Sequence, residues 1–310
     1  MARNATLLHY PIRESIASAL PIVDEFVVAL GAGDPGDRTR EEIESIGSPK
    51  ITIIDTIWDI DAFPRGMEHA HQTDIAKEAC RGEWLLYLQA DEVLHEDDLP
   101  KIVDRCAELR NDREVEGLLF DYLHFWGDYD HHHRSHGWYK HEIRIVRNDP
   151  EIHSWESAQS FRRIPDFDGR SYRVREGTRK LNVASVDARI FHYGWVRPPR
   201  AMQRKHHAFD TNHLGRRDAD QRHAERAERY DYGPLGRLPL FKGTHPSVMA
   251  DRIAAFDWGG DLDYSSDPPR AGRPLHKHER LKYRLLTMLE EKLAGGRELG
   301  GFHNYHLLTK

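Results

Sequence analysis

The first part of the chain alternates short apolar runs with longer segments of mixed polarity. The apolar runs have the length and the aliphatic and aromatic content of buried strands. The predicted strands are 25–30, 51–55 and 85–88. One helix is predicted to begin near Thr39, and two more are predicted over 72–80 and 97–109. This alternation predicts an α/β fold with a mostly parallel sheet, flanking helices and right-handed crossovers.

The pattern changes after residue 112. Two longer strands, over 115–125 and 139–147, follow each other without a helix between them, which predicts antiparallel additions to the sheet. Helices dominate after Pro198, and they are predicted over 200–212, 219–230, 246–256 and 278–293. We therefore expect a main domain over 1–200 and a helical C-terminal extension over 201–310.

Composition narrows the class of protein. With 310 residues and 39% hydrophobic residues, the chain can bury a sizeable core. A net charge of -6 disfavours a general nucleic-acid-binding role. No apolar run approaches the ~20 residues that span a bilayer, and the start lacks a signal pattern, so a cytoplasmic protein is expected. Cys80 and Cys106 fall in predicted helices, which argues against a disulfide framework.

The chain has 21 histidines, and some of them are clustered. The main cluster is His131, His132, His133 and His136. Consecutive residues of a loop do not converge on one ion, so this cluster is expected to be a solvated loop. A zinc hydrolase would instead need a fixed spacing such as His-Glu-x-x-His, which the sequence lacks.

The strand predicted at 85–88 is followed at once by Gln89, Ala90, Asp91 and Glu92. Open α/β sheets bind ligands at the carboxyl ends of their strands. Carboxylates at such a place can hold Mg²⁺ or Mn²⁺, and the cation can in turn bind a diphosphate. The alternative is that the acids merely end a strand and lead into the next helix.

The turn over 31–37 joins a predicted strand to a predicted helix and is rich in glycine. It matches neither a Walker loop nor a dinucleotide fingerprint. Gly31 and Gly33 would let the backbone approach a base or a ribose, and Asp34 or Asp37 could accept hydrogen bonds from them. Asp37 could equally cap the helix that begins near Thr39.

Several blocks of sequence are similar in combination to one enzyme family. They are Pro-Ile-Val-Asp-Glu-Phe-Val-Val (21–28), Asp-Arg-Thr (37–39), Ala-Cys-Arg-Gly-Glu-Trp (79–84), Gln-Ala-Asp-Glu (89–92) and Phe-His-Tyr-Gly-Trp-Val-Arg-Pro-Pro (191–199). Together they resemble the family-two-like glycosyltransferases, which have the A-type nucleotide-diphospho-sugar transferase (GT-A-like) fold. The resemblance covers about residues 12–200.

The resemblance implies transfer of a sugar from a nucleotide-diphospho-sugar, a UDP- or GDP-linked hexose, to an acceptor hydroxyl. It implies an inverting, Mn²⁺- or Mg²⁺-assisted reaction on a glycan or lipid-linked acceptor in cell-envelope glycan biosynthesis, and a homodimer is possible. The family's aspartate-any-aspartate signature falls on Gln89, Ala90 and Asp91, so one acid is replaced by an amide. This departure favours an alternative, a non-catalytic nucleotide-binding relative.

The resemblance also assigns roles to single residues. Asp91 and His192 would hold the metal, and Arg197 would help to neutralise the leaving diphosphate. The donor-binding set is Gly31, Gly33, Asp34, Asp37, Asp74, Gln89 and Arg197. Relatives begin with a strand that ends in an Arg-Asn-like step, so the first strand is expected to be missing or very short here, or the true start lies upstream.

The catalytic base is the least constrained assignment. Glu156 is the first candidate, because Trp155 beside it offers an apolar face for a sugar and would raise the pKa of the carboxyl group. Glu142 and Asp121 come next. For Glu142, the competing interpretation is a cross-strand ion pair with Arg144 or another neighbour.

Overall fold

The computed structural model describes residues 1–269, 272–293, 295, 298–300 and 303–310. The helices are α1 (Ile12–Ala19), α2 (Thr39–Glu44), α3 (Met67–Ala79), α4 (Leu99–Glu108), α5 (Pro199–Leu214), α6 (Arg216–Ala224), α7 (Ala250–Ala254) and α8 (Leu281–Leu293). The strands are β1 (Phe26–Gly31), β2 (Ile51–Thr56), β3 (Trp84–Leu86), β4 (Glu92–Leu94), β5 (Gly117–Trp126), β6 (His132–His133), β7 (His141–Arg147), β8 (Ile152–Trp155), β9 (Ser160–Arg163), β10 (Arg179–Trp195) and β11 (Tyr305–Leu307).

The first two strands form a small parallel sheet of their own. Ala2 continues this sheet on the free edge of β1, where its amide donates to Ala29 and its carbonyl accepts from Gly31. The pairing of Ala2 alone agrees with the expectation of a very short first strand. β1 does not pair with β3. A cavity of about 580 Å³ lies between them, with Phe26, Trp84 and other mainly apolar side chains in its wall.

The main sheet has nine strands, in the order β3, β7, β5, β10, β9, β8, with β4 and β11 also paired to β10 and β6 paired to β5. Only β10 with β5 and β10 with β11 are parallel in this sheet. The α/β class is confirmed, but the prediction of a mostly parallel sheet is wrong. The reason is that the described stretch from β5 to β10 contains no α-helix, so most strands there lack the helical crossover that parallel pairing uses.

The C-terminal segment belongs to the same structure as the sheet. Met249 and Trp258 are buried against Phe125 and Phe191 of the two central strands. β11 adds a parallel strand to the start of β10. Within the part of the chain described here, no helix is both long enough and apolar enough to cross a bilayer.

The prediction that the histidine cluster is a solvated loop is wrong. His131, His132 and His133 are buried, with exposed fractions of 7%, 2% and 5%. His132 and His133 form β6, which is covered by the C-terminal segment, since the His132 amide donates to the Pro239 carbonyl at 3.1 Å. A covering segment about a hundred residues away leaves no mark on the local pattern of polarity.

An ion pair inside the main sheet fixes the acidic run at 89–92. Glu92 and Arg144 have side chains that are 0% and 1% exposed. The guanidinium donates from Nε at 2.8 Å and from Nη2 at 2.7 Å to the two carboxylate oxygens of Glu92, and the Tyr122 hydroxyl donates to the same group at 2.8 Å. Glu92 is therefore a structural residue that links β4 to β7.

We expect Glu92→Gln to leave the Arg144 charge buried without its partner. The free energy of unfolding, measured by urea denaturation, should fall by about 3–5 kcal/mol. The matched control is Glu44→Gln, which removes an exposed ion pair with Arg40 and should change the stability by less than about 1 kcal/mol. Equal effects of the two substitutions would contradict a stabilising role for the buried pair.

Candidate functional site

Asp91 lies at the start of β4, where the Tyr193 amide donates to the Asp91 carbonyl at 2.8 Å. This bond places the carboxylate beside the end of β10. The Nε2 atom of His192 is 3.7 Å from the Asp91 Oδ2 atom, and the side chains are only 8% and 7% exposed. The structure thus brings together the two residues that the resemblance assigns to a metal.

Lys205 of α5 also reaches this place, and the sequence interpretation missed it. Its ammonium donates to the Gly194 carbonyl at 2.6 Å and to Asp91 Oδ2 at 3.3 Å. A signal was present, because Lys205 lies three and four residues after Met202 and Ala201, which are buried. That spacing puts all three on one face of the helix.

Asp91 shares the site with two basic residues, Lys205 and Arg197. Burial by itself would raise the pKa of Asp91, but the surrounding basic groups, Lys205 foremost, outweigh burial and lower the pKa to about 2. Burial, reinforced by Arg197, lowers the pKa of Lys205 to about 7, and Asp91 opposes that shift. Asp91 is therefore ionised across the physiological pH range.

The hydrogen bonds of His192 determine which of its nitrogen atoms is free. His124 Nε2 is 2.8 Å from the Tyr139 carbonyl, so this nitrogen must carry the proton. His124 Nδ1 is then an acceptor, and His192 Nδ1, at 2.8 Å, donates to it. Burial lowers the pKa of both rings, that of His124 to about 4, so both are neutral. His192 Nε2 consequently presents a lone pair towards Asp91.

Gly194 allows this close arrangement. A Cβ atom at this position would overlap His192 Nε2 and would lie 2.7 Å from Asp91 Oδ2. Any other residue would have to displace one of the two groups. The close approach of the His192 and Asp91 side chains therefore explains the glycine of the Phe-His-Tyr-Gly-Trp block.

Arg197 is completely buried and only partly satisfied. Its Nη1 atom donates to the Leu8 carbonyl at 2.6 Å, and its guanidinium carbon is 4.5 Å from the centre of the Tyr10 ring. Its Nε and Nη2 atoms have no hydrogen-bond partner among the described residues. Buried charged donors without partners are unfavourable, and an anion that reached them could accept their hydrogen bonds.

The carboxyl ends of β1 and β2 carry a second set of unpaired polar atoms. Within the described ranges, Thr56 Oγ1, Trp58 Nε1, Glu68 Oε2 and Gln72 Oε1 are buried without a hydrogen-bond partner. Gly31 lies against the Trp58 indole so closely that a Cβ would overlap it. This is the edge at which ligands bind in open α/β sheets.

Asp34 and Asp37, predicted to bind the donor, are both occupied by the N-terminal segment. Asp34 accepts from Arg3 Nη2 at 3.0 Å and from Asn4 Nδ2 at 2.8 Å. Asp37 accepts from the hydroxyls of Thr6 and Thr39 at 2.7 and 2.6 Å, and α2 has no side-chain cap. A Cβ on Gly33 would overlap Asp37, so this glycine permits the turn itself.

Asp74 and Gln89, two further predicted donor-binding residues, make contacts with the segment around β8. The Asp74 carboxylate is 2.8 Å from His153 Nδ1 and accepts from the Ser154 amide at 2.9 Å. Asp74 borders a cavity of about 330 Å³, whose wall includes Tyr172. The Gln89 amide donates to the Ala158 carbonyl at 3.0 Å.

The candidate bases have different surroundings. Glu156 lies 3.6 Å from Arg173 and 3.8 Å from Arg175, and Asp121 is exposed and 3.1 Å from His141 Nε2. Glu142 has a raised pKa of about 7, because burial and the nearby Glu92 together outweigh the attraction of Arg144. A carboxyl group that titrates near neutral pH is suited to general base catalysis. On this ground Glu142 is a stronger candidate than Glu156 or Asp121.

Asp91 and His192 would be an incomplete set of protein ligands for a divalent cation. Among the described residues, no group of three or more His, Cys, Asp or Glu side chains is arranged to hold a metal ion. In addition, the Lys205 ammonium contacts the same carboxylate oxygen that a metal would need. The residues therefore fit a divalent cation poorly.

Comparison with known proteins does not assign the chain to a family: no family model matches it, and no curated protein does.

The raised pKa of Glu142 predicts a pH-dependent stability. The pKa is about 7 in the folded protein, against a reference value of 4.5, so the folded state is favoured while the group is protonated. The contribution of Glu142 is present below pH 4.5 and is lost as the pH rises to about 7. The melting temperature of Glu142→Gln minus that of the wild type should therefore be more positive at about pH 8 than at about pH 4.

The control for this measurement is Asp121→Asn, which changes an exposed carboxylate in the neighbouring strand. Its melting temperature relative to the wild type should not follow the same trend. A Glu142→Gln variant with the same pH dependence as the wild type would show that Glu142 is not held in its neutral form.

Proposed function

We propose that the protein is a glycosyltransferase that moves a sugar from a nucleotide-diphospho-sugar to an acceptor hydroxyl. The observation that carries the proposal is the cluster around Asp91, in which a lysine, a neutral histidine with a free lone pair and a partly unsatisfied arginine surround one buried carboxylate. Such a cluster has excess positive charge in a place that solvent hardly reaches, and it is suited to binding a diphosphate.

The chemistry requires positive charge at the leaving group. When the bond between the sugar and the diphosphate breaks, negative charge develops on the phosphate oxygen that departs. Arg197 has two unpaired N–H donors in a planar guanidinium, which match phosphate oxygens better than a point charge does. The resemblance of the 191–199 block to family-two-like glycosyltransferases supports the same role.

The nucleotide would occupy the carboxyl ends of β1 and β2. The unpaired polar atoms of Thr56, Trp58 and Gln72 offer both donors and acceptors to a base or a ribose. The side chains of Ala90 and Leu30 belong to one hydrophobic cluster, so this edge lies close to Asp91. A donor with its base near β2 and its diphosphate near Arg197 would then extend along one continuous edge.

The acceptor must lose a proton as it attacks the sugar. In an inverting transfer a single base does this, and Glu142 is favoured by its pKa near 7. The donor that the resemblance suggests is a UDP- or GDP-linked hexose, and the suggested acceptor is a glycan or a lipid-linked glycan.

A second function, a nucleotide-binding protein without transferase activity, is favoured by one observation. Gln89 stands where the family has an acid, and its amide is already bound to the Ala158 carbonyl. Both functions predict binding of a nucleotide, but only the first predicts turnover of a nucleotide-sugar.

A thermal-shift screen tests donor binding. The protein would be heated with UDP, GDP and a panel of UDP- and GDP-hexoses, each with and without Mn²⁺. A ligand at about 100 times its Kd stabilises the native state by about 2.7 kcal/mol, which raises the melting temperature measurably. ATP serves as the control nucleotide, and the absence of a shift with every uridine and guanosine ligand would contradict both functions.

Substitution of the candidate bases tests the transfer step once a donor is known. We expect Glu142→Gln to reduce the rate of transfer by roughly 10²- to 10⁴-fold, because an amide cannot accept the acceptor proton. Donor affinity, measured by calorimetry, should be nearly unchanged. Glu156→Gln is the matched comparison, and loss of transfer in that variant alone would assign the base to Glu156 instead.

A further inference from the structure

We infer that Lys205 provides the positive charge that neutralises the donor diphosphate, in the place where the family resemblance puts a divalent cation. The inference rests on the proposed function, because it concerns the same site. It goes beyond that function by assigning a residue from the C-terminal segment to the diphosphate and by predicting donor binding without a metal.

The first argument is the position of the ammonium. Lys205 Nζ lies 2.6 Å from the Gly194 carbonyl and 3.3 Å from Asp91 Oδ2. His192 Nε2 approaches the same Asp91 oxygen at 3.7 Å. The ammonium therefore contacts the carboxylate through which the predicted metal would be bound, and a divalent cation placed there would be repelled by it.

The second argument is that the fold holds Lys205 firmly. Helix α5 begins with Pro199, and its residues Ala201 and Met202 are buried. The Lys205 ammonium is 5.6 Å from the centre of the Trp195 ring and 5.2 Å from that of Tyr10, within cation–π distance. A charge that is already in place needs no reorganisation when the leaving group forms, which is the condition for effective electrostatic catalysis.

The third argument is the balance of charge. Asp91 is the one carboxylate paired with Lys205 in the described structure, whereas Arg197 adds a second cation with unpaired donors. When both are protonated, Lys205 and Arg197 carry one more charge than Asp91 balances, and a bound anion would hold the proton on Lys205, whose pKa burial lowers to about 7. Lys205 is also partly accessible, with 17% of its side chain exposed, so an anion that enters the site can reach it.

The reaction can then be written with this chain's own groups. The acceptor oxygen forms a bond to the anomeric carbon and gives its proton to the catalytic base. The bond from that carbon to the β-phosphate oxygen breaks, and its electron pair stays on the oxygen. Lys205 and Arg197 donate hydrogen bonds to the diphosphate and keep their protons, while Asp91 positions Lys205.

Calorimetric titration of the full chain with UDP and GDP, in EDTA and in Mn²⁺, tests the inference. We expect one of the two to bind in EDTA, with an affinity that Mn²⁺ changes by less than about threefold. Lys205→Met should weaken this binding by roughly 10- to 100-fold, the usual effect of losing a charged hydrogen bond. The control is Lys50→Met, because Lys50 is another lysine that donates to backbone carbonyls, those of Leu20 and Val23. The Lys50→Met variant should bind the nucleotide as tightly as the wild type does.

A second variant separates a direct role of Lys205 from a repulsive effect of the unpaired Asp91. The double substitution Asp91→Asn with Lys205→Met removes both charges. If Lys205 contacts the diphosphate, binding stays weak in the double variant, and recovery of wild-type affinity would overturn the inference. Melting temperatures of all variants confirm that each is folded.

The outcomes distinguish this inference from the proposed function. Nucleotide binding that requires Mn²⁺ and is unaffected by Lys205→Met would overturn the role of Lys205 and leave the proposed transferase intact. A failure of both UDP and GDP to bind, with or without Mn²⁺, would overturn both. Metal-independent binding that Lys205→Met weakens supports both.

Discussion

The ion pair of Glu92 with Arg144 is the contact on which the rest of the site depends. Asp91 and Glu92 are adjacent acids, and the ion pair directs Glu92 into the sheet, where its two oxygens accept from the guanidinium and from Tyr122. The pair links β4 to β7, while the backbone of β4 pairs with β10, where Glu92 lies opposite His192. Asp91 is thereby left at the end of the strand, facing the cations of the C-terminal part of the chain. The two adjacent acids therefore have different surroundings, one inside the sheet and the other beside Lys205.

The sequence predicted those helices and strands whose formation depends on one short segment alone. The predicted strand at 51–55 and the helix at Thr39 match β2 and α2 closely, because an apolar run or a turn followed by a helix is a local signal. The direction of the strands could not be obtained in this way. It depends on which strands meet, and the long strand β10 pairs with partners on both sides, with irregularities at Ser185 and His192. No pattern within a single strand encodes that choice.

The candidate site was predicted only in part, for a similar reason. The proximity of Asp91 and His192 was implied by the family resemblance, and the structure shows it. Lys205 was missed because it lies 114 residues after Asp91, within a stretch of many basic residues that resembles a solvated helix face. The raised pKa of Glu142 depends on burial and on the nearby Glu92. The alternation of polar and apolar residues along β7 shows neither of these. Residues brought together by the tertiary fold are the ones that sequence patterns leave undetermined.

Gly194 is a position at which the geometry of the site can be changed without a known substrate. Since a Cβ atom there would overlap His192 and crowd Asp91, every substitution acts on the same pair of groups, whatever its size or polarity. A substitution at position 194 should therefore displace His192 or Asp91 whatever the new side chain, whereas one at Val196 should act through the volume of the new side chain. Position 194 is thus a backbone position at which both side chains can be displaced without substituting either of them.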